Sequence, residues 1–362
     1  MPGRPPSYDE TTPTPTVRPG SLAPGYLAAV TENALRVAVT GPTGTFGFGL
    51  MPLLQRDDRI GEVVGIARRR FEPTDHGWSK MVYKRGDVRD RDALAEAFEG
   101  ADAVVHLAFI VVGGDPATTR EVNIEGTLAA YRAARDAGAA RFVYASSVAA
   151  YGFHRDNPVG MAEDWPVRPA DLLFYAREKA ELEELLTAEV TDDGPDLYLL
   201  RPPVVLGPHA VGAKASVPAA WQPPARLLLS LARRLPLLAV APDVALQVIH
   251  EDDVGRALLQ CVVAAGPPGA YNIAADEVVT LVDVARELGF LTLPIPGAPA
   301  RAAARLAARL PGLPQPAQWV EALSHPAIMD TTKARTLLGW TPEVSALEAV
   351  RSSLPGRTTP SD

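Results

Sequence analysis

The chain has 362 residues, of which 47% are hydrophobic and 22% charged, an ordinary balance for a globular protein. A formal net charge of −8 provides no basic surface for nucleic acid or for an anionic membrane, so neither partner is expected. The single cysteine, Cys261, excludes an internal disulfide, and no metal site is predicted. It lies in the apolar run LLQCVVAA, which favours a buried packing role.

The N-terminal segment, residues 1–33, is rich in proline and poor in large apolar side chains, which predicts a flexible tail. It lacks the apolar core of a secretory signal. No stretch of the sequence reaches the roughly 20 apolar residues that a membrane span needs. A cytoplasmic protein is therefore expected, with a second short tail at residues 351–362.

From Leu35 onwards, short apolar strands alternate with helices. Strands are predicted in LRVAVTG, VVGIAR, MVYKRGD, ADAVVHLAF, RFVYASS and DLYLLRPPVV. Helices are predicted in FGFGLMPLLQR, RDALAEAFEG, residues 120–138 and LLFYAREKAELEELLTAEV. Nearly continuous apolar strands that alternate with helices are typical of a parallel sheet covered on both faces. The sequence therefore predicts an α/β fold with a Rossmann-type doubly wound parallel sheet.

A looser pattern, rich in proline, alanine and leucine, follows the sixth strand. We predict a dinucleotide-binding domain over residues 34–208, to which residues 244–275 return. Residues 209–243 and 276–350 are predicted to form a smaller C-terminal substrate-binding lobe. Within it, RAAARLAARL at residues 301–310 is predicted to be a surface helix.

A glycine-rich turn joins the first strand to the first helix, with Gly41, Gly44 and Gly47 spaced as G-x-x-G-x-x-G. Gly41 permits a tight turn, Gly44 lets the backbone approach a pyrophosphate, and Gly47 lets helix and strand pack closely. The helix N-terminus adds partial positive charge for the phosphates. This arrangement predicts a dinucleotide site.

Tyr175 and Lys179 lie four residues apart on a predicted helix and therefore on one face of it. An ammonium beside a phenol is expected to lower the pKa of Tyr175 towards the working range of an acid or base. Ser147 ends the fifth predicted strand, where it would face the ligand crevice of the sheet and orient a substrate carbonyl. The three side chains are predicted to form a catalytic group.

These motifs together resemble those of the extended short-chain dehydrogenase/reductase family, also called the epimerase/dehydratase family. In chain order they read TGPTGTFG, GDV, HLAF, VNIEGT, YASSVAAYG, YAREK, LRPPVVLGP, IHEDDV, YNIAA and DTTKARTLLGWTP. The resemblance covers residues 35–345. It implies an enzyme that moves a hydride by means of a nicotinamide dinucleotide.

The resemblance also implies roles for single residues. Besides the three glycines and the Tyr175 and Lys179 pair, the cofactor contacts that it implies are Thr45, Phe46, Asp87, Val88, Leu107, Ala108, Pro202 and Pro203. Asp87 would hold the adenine amino group, and Asn123 would support the site from the neighbouring helix. By contrast, His250, Asp252 and Asp253 match a family motif but are interpreted as a structural cap and strand end.

The end of the second predicted strand bears on the choice of cofactor. Members of the family that select NAD carry an acid there for the ribose hydroxyl, whereas this chain has Ala67 followed by Arg68 and Arg69. No carboxylate would repel a 2′-phosphate, and either arginine could bind one bidentately. NADP is therefore the predicted cofactor, with NAD as the alternative.

The residues that follow Ser147 help to decide which reaction of the family is expected. Val148 and Ala149 follow Ser147 where sugar dehydratases of the family have Asp-Glu, which argues against a dehydratase. The predicted function is an NAD(P)-dependent oxidoreductase acting on a carbonyl or alcohol. A nucleotide-sugar epimerase with tightly bound cofactor is one alternative, and a non-catalytic dinucleotide-sensing regulator is another.

The second lobe offers largely apolar side chains to a small-molecule substrate, which favours a less polar carbonyl or alcohol. These side chains are Val217, Pro218, Trp221, Leu227 and Leu238. The resemblance further implies a homodimer that pairs through the helices of Asn123 and Tyr175.

Overall fold

The computed structural model describes residues 34–111, 115–170, 173–210, 237–296 and 325–354. The strands in these ranges are β1 Leu35–Thr40, β2 Ile60–Ala67, β3 Met81–Arg85, β4 Ala103–His106, β5 Arg141–Ala145, β6 Asp196–Arg201, β7 Val204–Leu206, β8 Leu238–Asp243, β9 Ala245–Leu246, β10 Val248–His250, β11 Gly269–Asn272, β12 Val279–Thr280 and β13 Leu291–Pro296. The helices are α1 Thr45–Arg56, α2 Arg91–Phe98, α3 Pro116–Arg120, α4 Gly126–Asp136, α5 Phe174–Glu189, α6 Glu251–Val262, α7 Leu281–Glu287, α8 Thr332–Leu337 and α9 Ala346–Ser352. The predicted N-terminal tail, the segment RAAARLAARL and most of the predicted substrate-facing residues lie outside the described ranges. The predicted tail at residues 351–362 is described as far as residue 354, and its first residues belong to α9, which ends at Ser352.

A seven-stranded sheet in the order β11-β6-β5-β4-β1-β2-β3 forms the centre of the molecule. All of its strand pairs are parallel. The strand order reverses between β1 and β4, where Thr40 lies opposite His106. The crevice at such a switch point is where open α/β sheets bind ligands. The predicted Rossmann-type fold is confirmed.

Apolar side chains cover both faces of this sheet. Successive residues of β1 point to opposite faces, so Val39 packs with Leu50 of α1 and Cys261 of α6, whereas Ala38 packs with Tyr131 of α4. Cys261 is fully buried, as predicted, and burial raises the pKa of its thiol. Among the residues described, every helix is too short or too polar to cross a bilayer.

Two predicted elements have different boundaries in the structure. The sixth strand does not continue through DLYLLRPPVV: β6 ends at Arg201, and β7 begins at Val204 and pairs with β10 in a separate sheet. Pro202 and Pro203, which have no N–H to donate to a ladder, cause the break. The helix predicted from residue 120 begins instead at Pro116, because the Asp115 side chain accepts a hydrogen bond from the backbone of the first turn.

Helices α1 and α6 cross with their backbones in contact. A Cβ atom added to Gly49 would lie 2.0 Å from the carbonyl oxygen of Glu251, and one added to Gly255 would lie 2.1 Å from that of Gly49. His250 is the N-cap of α6, since its side chain accepts a hydrogen bond from the backbone N–H of Asp252. The interpretation of this histidine as a structural cap is confirmed.

Candidate active site

A cleft of about 680 Å³ opens at the carboxyl ends of the central strands. The segments that follow β1, β2, β4, β5 and β6 line it, together with residues 244–247, His325 and Ala327. The predicted site residues that line it are Gly41, Gly44, Thr45, Phe46, Arg68, Arg69, Val88, Leu107, Ala108, Ser147, Tyr175, Lys179, Pro202 and Pro203. Within the described ranges, the predicted cofactor-site residues that do not line the cleft are Gly47, Asp87 and Asn123, and Leu238, predicted to face the substrate, does not line it either.

The glycine turn after β1 forms one wall of the cleft. Gly41 has a φ of +68°, in the region that favours glycine, and a Cβ there would lie 3.0 Å from the Cα of Ala108. A Cβ on Gly47 would lie 2.0 Å from the carbonyl oxygen of Pro42, so only glycine lets α1 pack this closely against the turn. Gly44 is the N-cap of α1 and has no side chain that could occupy the first N–H groups of the helix. Uncapped N–H groups at a helix N-terminus with no acidic residue in the first turn suit a pyrophosphate.

Arg68 and Arg69 line the cleft directly after β2. Their backbone carbonyls are fixed, since that of Arg68 accepts a hydrogen bond from Arg85 Nε at 3.0 Å and that of Arg69 accepts one from the hydroxyl of Tyr83 at 2.5 Å. Asp87 lies two residues beyond the end of β3, the strand that pairs with β2. It is paired with Arg89, whose Nη2 donates to it at 2.9 Å and whose charge lowers the pKa of Asp87.

Ser147 and Tyr175 meet beside the end of β5. Ser147 lies two residues beyond the strand, where its hydroxyl accepts a hydrogen bond from the N–H of Ala149 at 3.1 Å. It also shares a hydrogen bond with the phenol of Tyr175. Burial raises the pKa of Tyr175 to about 12, and the bond with Ser147 only partly opposes this effect. The expectation of a lowered tyrosine pKa was wrong, because desolvation of the phenol outweighs the effect of its hydrogen bond with Ser147.

The hydrogen bonds of Lys179 go to residues of β5. Its Nζ donates hydrogen bonds to the carbonyl oxygen of Ala145 at 2.7 Å and to the hydroxyl of Tyr144 at 3.0 Å. It lies 3.6 Å from the ring centroid of Phe109 but 5.7 Å from that of Tyr175. Burial holds the pKa of Lys179 well below its ordinary value. The lysine is therefore buried inside the site, where it donates hydrogen bonds to the end of β5 and its ammonium contacts the ring of Tyr175.

Asn123 supports the cleft from outside. It is fully buried in the π-helical turn Glu121–Glu125, a kind of turn that is frequent at functional sites. Its side chain accepts from the N–H of Ile110 at 2.7 Å and donates to the carbonyl of the same residue at 3.0 Å. It also donates to Glu178 at 2.7 Å. Asn123 thereby fixes the loop after β4 to the turn of α5 that precedes Lys179.

Sequence reasoning did not single out His106, Phe109, Tyr144 or Phe153, all of which line the cleft. His106 lies between the hydroxyls of Thr40 and Thr127, at 2.9 and 3.0 Å from its two ring nitrogens. Burial lowers the pKa of His106 to about 3, so the ring is neutral. The motif HLAF contained the signal for His106 and Phe109, but a strand run alone does not show which residues face a ligand.

Comparisons with known proteins agree with this architecture. A model of the NAD dependent epimerase/dehydratase family matches residues 37–274. The uncharacterized protein y4nG of Sinorhizobium fredii is 29% identical over 335 residues, which cover 88% of this chain and 77% of y4nG. Sterol demethylase protein B of Methylococcus capsulatus is 33% identical over 175 residues, 47% of this chain and 51% of that protein.

Among solved structures, UDP-glucuronic acid 4-epimerase from Bacillus cereus in complex with NAD superposes with a TM-score of 0.65. It shares 19% sequence identity, and the match covers 88% of this chain and 97% of the epimerase. At this identity, the likeness shows the fold. Because the family model matches more than half of the chain, the chain belongs to the NAD-dependent epimerase/dehydratase family of enzymes.

Proposed function

We propose that the protein is an NAD(P)-dependent oxidoreductase that interconverts a carbonyl and an alcohol, with Ser147, Tyr175 and Lys179 as its catalytic group. The observation that carries this proposal is the convergence of the three side chains in one cleft at the end of β5, with Ser147 bonded to Tyr175. A dinucleotide sensor would need no such group. Membership in a family of enzymes also argues against the sensor.

The residues around the glycine turn fit a dinucleotide. The N–H groups at the start of α1, those of Thr45 and Phe46, would hold the pyrophosphate. Leu107 and Ala108 would lie along the cofactor, and Val88 beside the adenine. When bound, the nicotinamide supplies or accepts the hydride.

In the direction of reduction, Ser147 and Tyr175 would both hydrogen-bond the carbonyl oxygen of the substrate. As the C=O π bond breaks, this oxygen gains negative charge, and Tyr175 transfers its hydroxyl proton to it. The phenol then recovers a proton from water. A tyrosine with a raised pKa remains protonated at neutral pH, as a donor must. Lys179 would stabilise the transient phenolate once its ammonium turns from Ala145 towards the cofactor ribose.

Within this activity, we propose that NADP is preferred over NAD. Ala67 leaves the end of β2 without an acid, and Arg68 and Arg69 line the adenine side of the cleft. A 2′-phosphate there would meet guanidinium groups. The Bacillus cereus epimerase contains NAD, so NAD stays the alternative for this chain.

The second candidate function is a nucleotide-sugar epimerase, favoured by the fold likeness to the Bacillus cereus enzyme. Net cofactor consumption separates the two. An oxidoreductase oxidises one NADPH for each carbonyl reduced, which absorbance at 340 nm follows, whereas an epimerase interconverts sugars with no net consumption. Interconversion of a nucleotide sugar without a change in NADPH would overturn the main proposal.

A further inference from the structure

The two ends of the cleft differ in chemistry. Arg68 follows β2 and Pro202 follows β6, and the sheet order places four strand spacings, about 19 Å, between these two strands. The guanidinium groups and the glycine turn occupy the β2 and β1 side. The substrate must therefore reach Ser147 and Tyr175 from the β6 side, where the chain after β6 meets residues 244–247.

Apolar side chains line this substrate end. They come from four separate parts of the chain and are Phe153, Val204, Val205, Val244, Leu246 and Ala327. Among the described lining residues, the arginines and lysines are Arg68 and Arg69 at the opposite end and Lys179, which is buried against Tyr144 and Ala145. A diphosphate, as in a nucleotide sugar, is normally held by cations or by a row of backbone N–H groups.

The described polar residues Gln247 and His325 also line the cleft, and the side-chain amide of Gln247 is already hydrogen-bonded. Gln247 is buried, and its Nε2 donates to the carbonyl of Met329 at 3.1 Å. Its Oε1 accepts from the N–H of the same residue at 2.8 Å. The amide of Gln247 therefore fastens two segments of the chain together and leaves the apolar surface of Leu246 and Val244 to the cleft.

We propose that the substrate is an uncharged, apolar ketone or secondary alcohol, and not a nucleotide-diphosphate sugar. The reaction it undergoes rests on the proposed function, but its chemical class follows from the lining of the substrate end. Each methylene that an apolar ligand buries there makes its binding free energy more favourable. The affinity is therefore expected to rise about fourfold per methylene.

The test measures binding separately from turnover. The full chain, saturated with NADP⁺ so that no ketone can be reduced, is titrated by calorimetry with the methyl ketones from 2-butanone to 2-decanone, with UDP and with UDP-glucose. The expected result is an affinity that rises about threefold to fourfold per added methylene, and no saturable binding of UDP or UDP-glucose. Affinity that is independent of chain length, or saturable binding of either nucleotide, would overturn the proposal.

A variant with a matched control locates the binding site. Leu246→Arg should weaken the binding of 2-decanone at least tenfold and leave NADPH affinity unchanged, because it places a cation in the apolar lining. Leu293→Arg is the control: Leu293 is 52% exposed on β13 and lies outside the lining. Equal ketone affinity in a Leu246→Arg protein that still binds NADPH would refute the assignment. If this variant does not fold, the titration of the unaltered chain with the ketone series tests the proposal on its own.

The outcome also separates this inference from the proposed function. Ketones that bind with the expected dependence on chain length, but are not reduced by NADPH, would support the apolar site and refute the oxidoreductase. Net NADPH oxidation with a nucleotide sugar, in contrast, would support the oxidoreductase and refute the apolar substrate.

Discussion

The ammonium of Lys179 lies 2.7 Å from the carbonyl oxygen of Ala145, the last residue of β5, and donates a hydrogen bond to it. This bond fastens α5 to the sheet beside Ser147. It also places the buried ammonium 5.7 Å from the ring centroid of Tyr175. For the lysine to assist catalysis, its side chain must exchange this backbone partner for the cofactor.

Replacement of Lys179 by methionine should impair both turnover and cofactor binding. The variant loses the cation that would stabilise the Tyr175 phenolate, so turnover should fall about 100-fold. Loss of a charged hydrogen bond to the ribose should weaken NADPH binding about tenfold. Lys333→Met is a matched control, since Lys333 is a partly buried lysine that donates to the carbonyl of Ala270 outside the cleft. Steady-state rates and fluorescence titration measure the two effects, and normal NADPH affinity in Lys179→Met would exclude the ribose contact.

Tyr175→Phe should abolish proton donation while the packing of the ring against Phe109 is kept. We expect turnover to fall at least about 100-fold, the usual cost of losing a general acid, with NADPH affinity nearly unchanged. Tyr198→Phe provides the control, because its hydroxyl donates to the carbonyl of Gly266 outside the cleft. Near-normal turnover of Tyr175→Phe would show that another group supplies the proton.

Cofactor preference should depend on the residue at the end of β2. The unaltered protein should bind NADPH more tightly than NADH, and Ala67→Asp should shift the preference towards NADH because a carboxylate would repel the 2′-phosphate. Ala117→Asp adds the same charge on an exposed helix outside the cleft and should change neither affinity. Fluorescence titrations with both cofactors measure the ratio. Equal affinities in the unaltered protein would contradict the prediction.

His106 should make the folded chain less stable as the pH falls below neutrality. Its pKa is about 3 in the folded protein against an ordinary value of 6.5, so between pH 7 and pH 5 the unfolded chain gains a proton that the folded chain does not. This lowers the free energy of unfolding by about 2 kcal/mol over that range. His106→Gln lacks this term, so the stability advantage of the unaltered protein over the variant should shrink by that amount. Urea unfolding at pH 7, 6 and 5 tests it, and a constant difference would show that the imidazole is accessible to protons when folded.

The fold could be predicted from sequence because its signals are local. The alternation of apolar strands with helices predicted the parallel sheet, and the spacing of Gly41, Gly44 and Gly47 predicted the turn before α1. The break at Pro202 was missed because the apolar run was given more weight than the missing N–H groups. The segment was predicted as one strand although its sequence contained the reason for two.

The electrostatics of the site could not be predicted in this way. Four-residue spacing places Lys179 and Tyr175 on one face of α5, but the direction of the ammonium depends on Tyr144 and Ala145, which come from a different strand. Burial, which raises the pKa of Tyr175, is likewise a property of the whole fold. The prediction that Leu238 faces the substrate was wrong for a similar reason. This apolar side chain is exposed on β8, which its sequence position alone does not show.

The crossing of α1 and α6 restricts how this sequence can change over evolution. In most cores, a larger side chain can be accommodated if a neighbouring residue becomes smaller. At Gly49 and Gly255 the obstructing atoms are carbonyl oxygens, which every possible neighbour also carries, so no second substitution can relieve the clash. Any homologue that keeps the two helices at this distance, and hence the glycine turn in its place beside the cleft, must therefore keep both glycines.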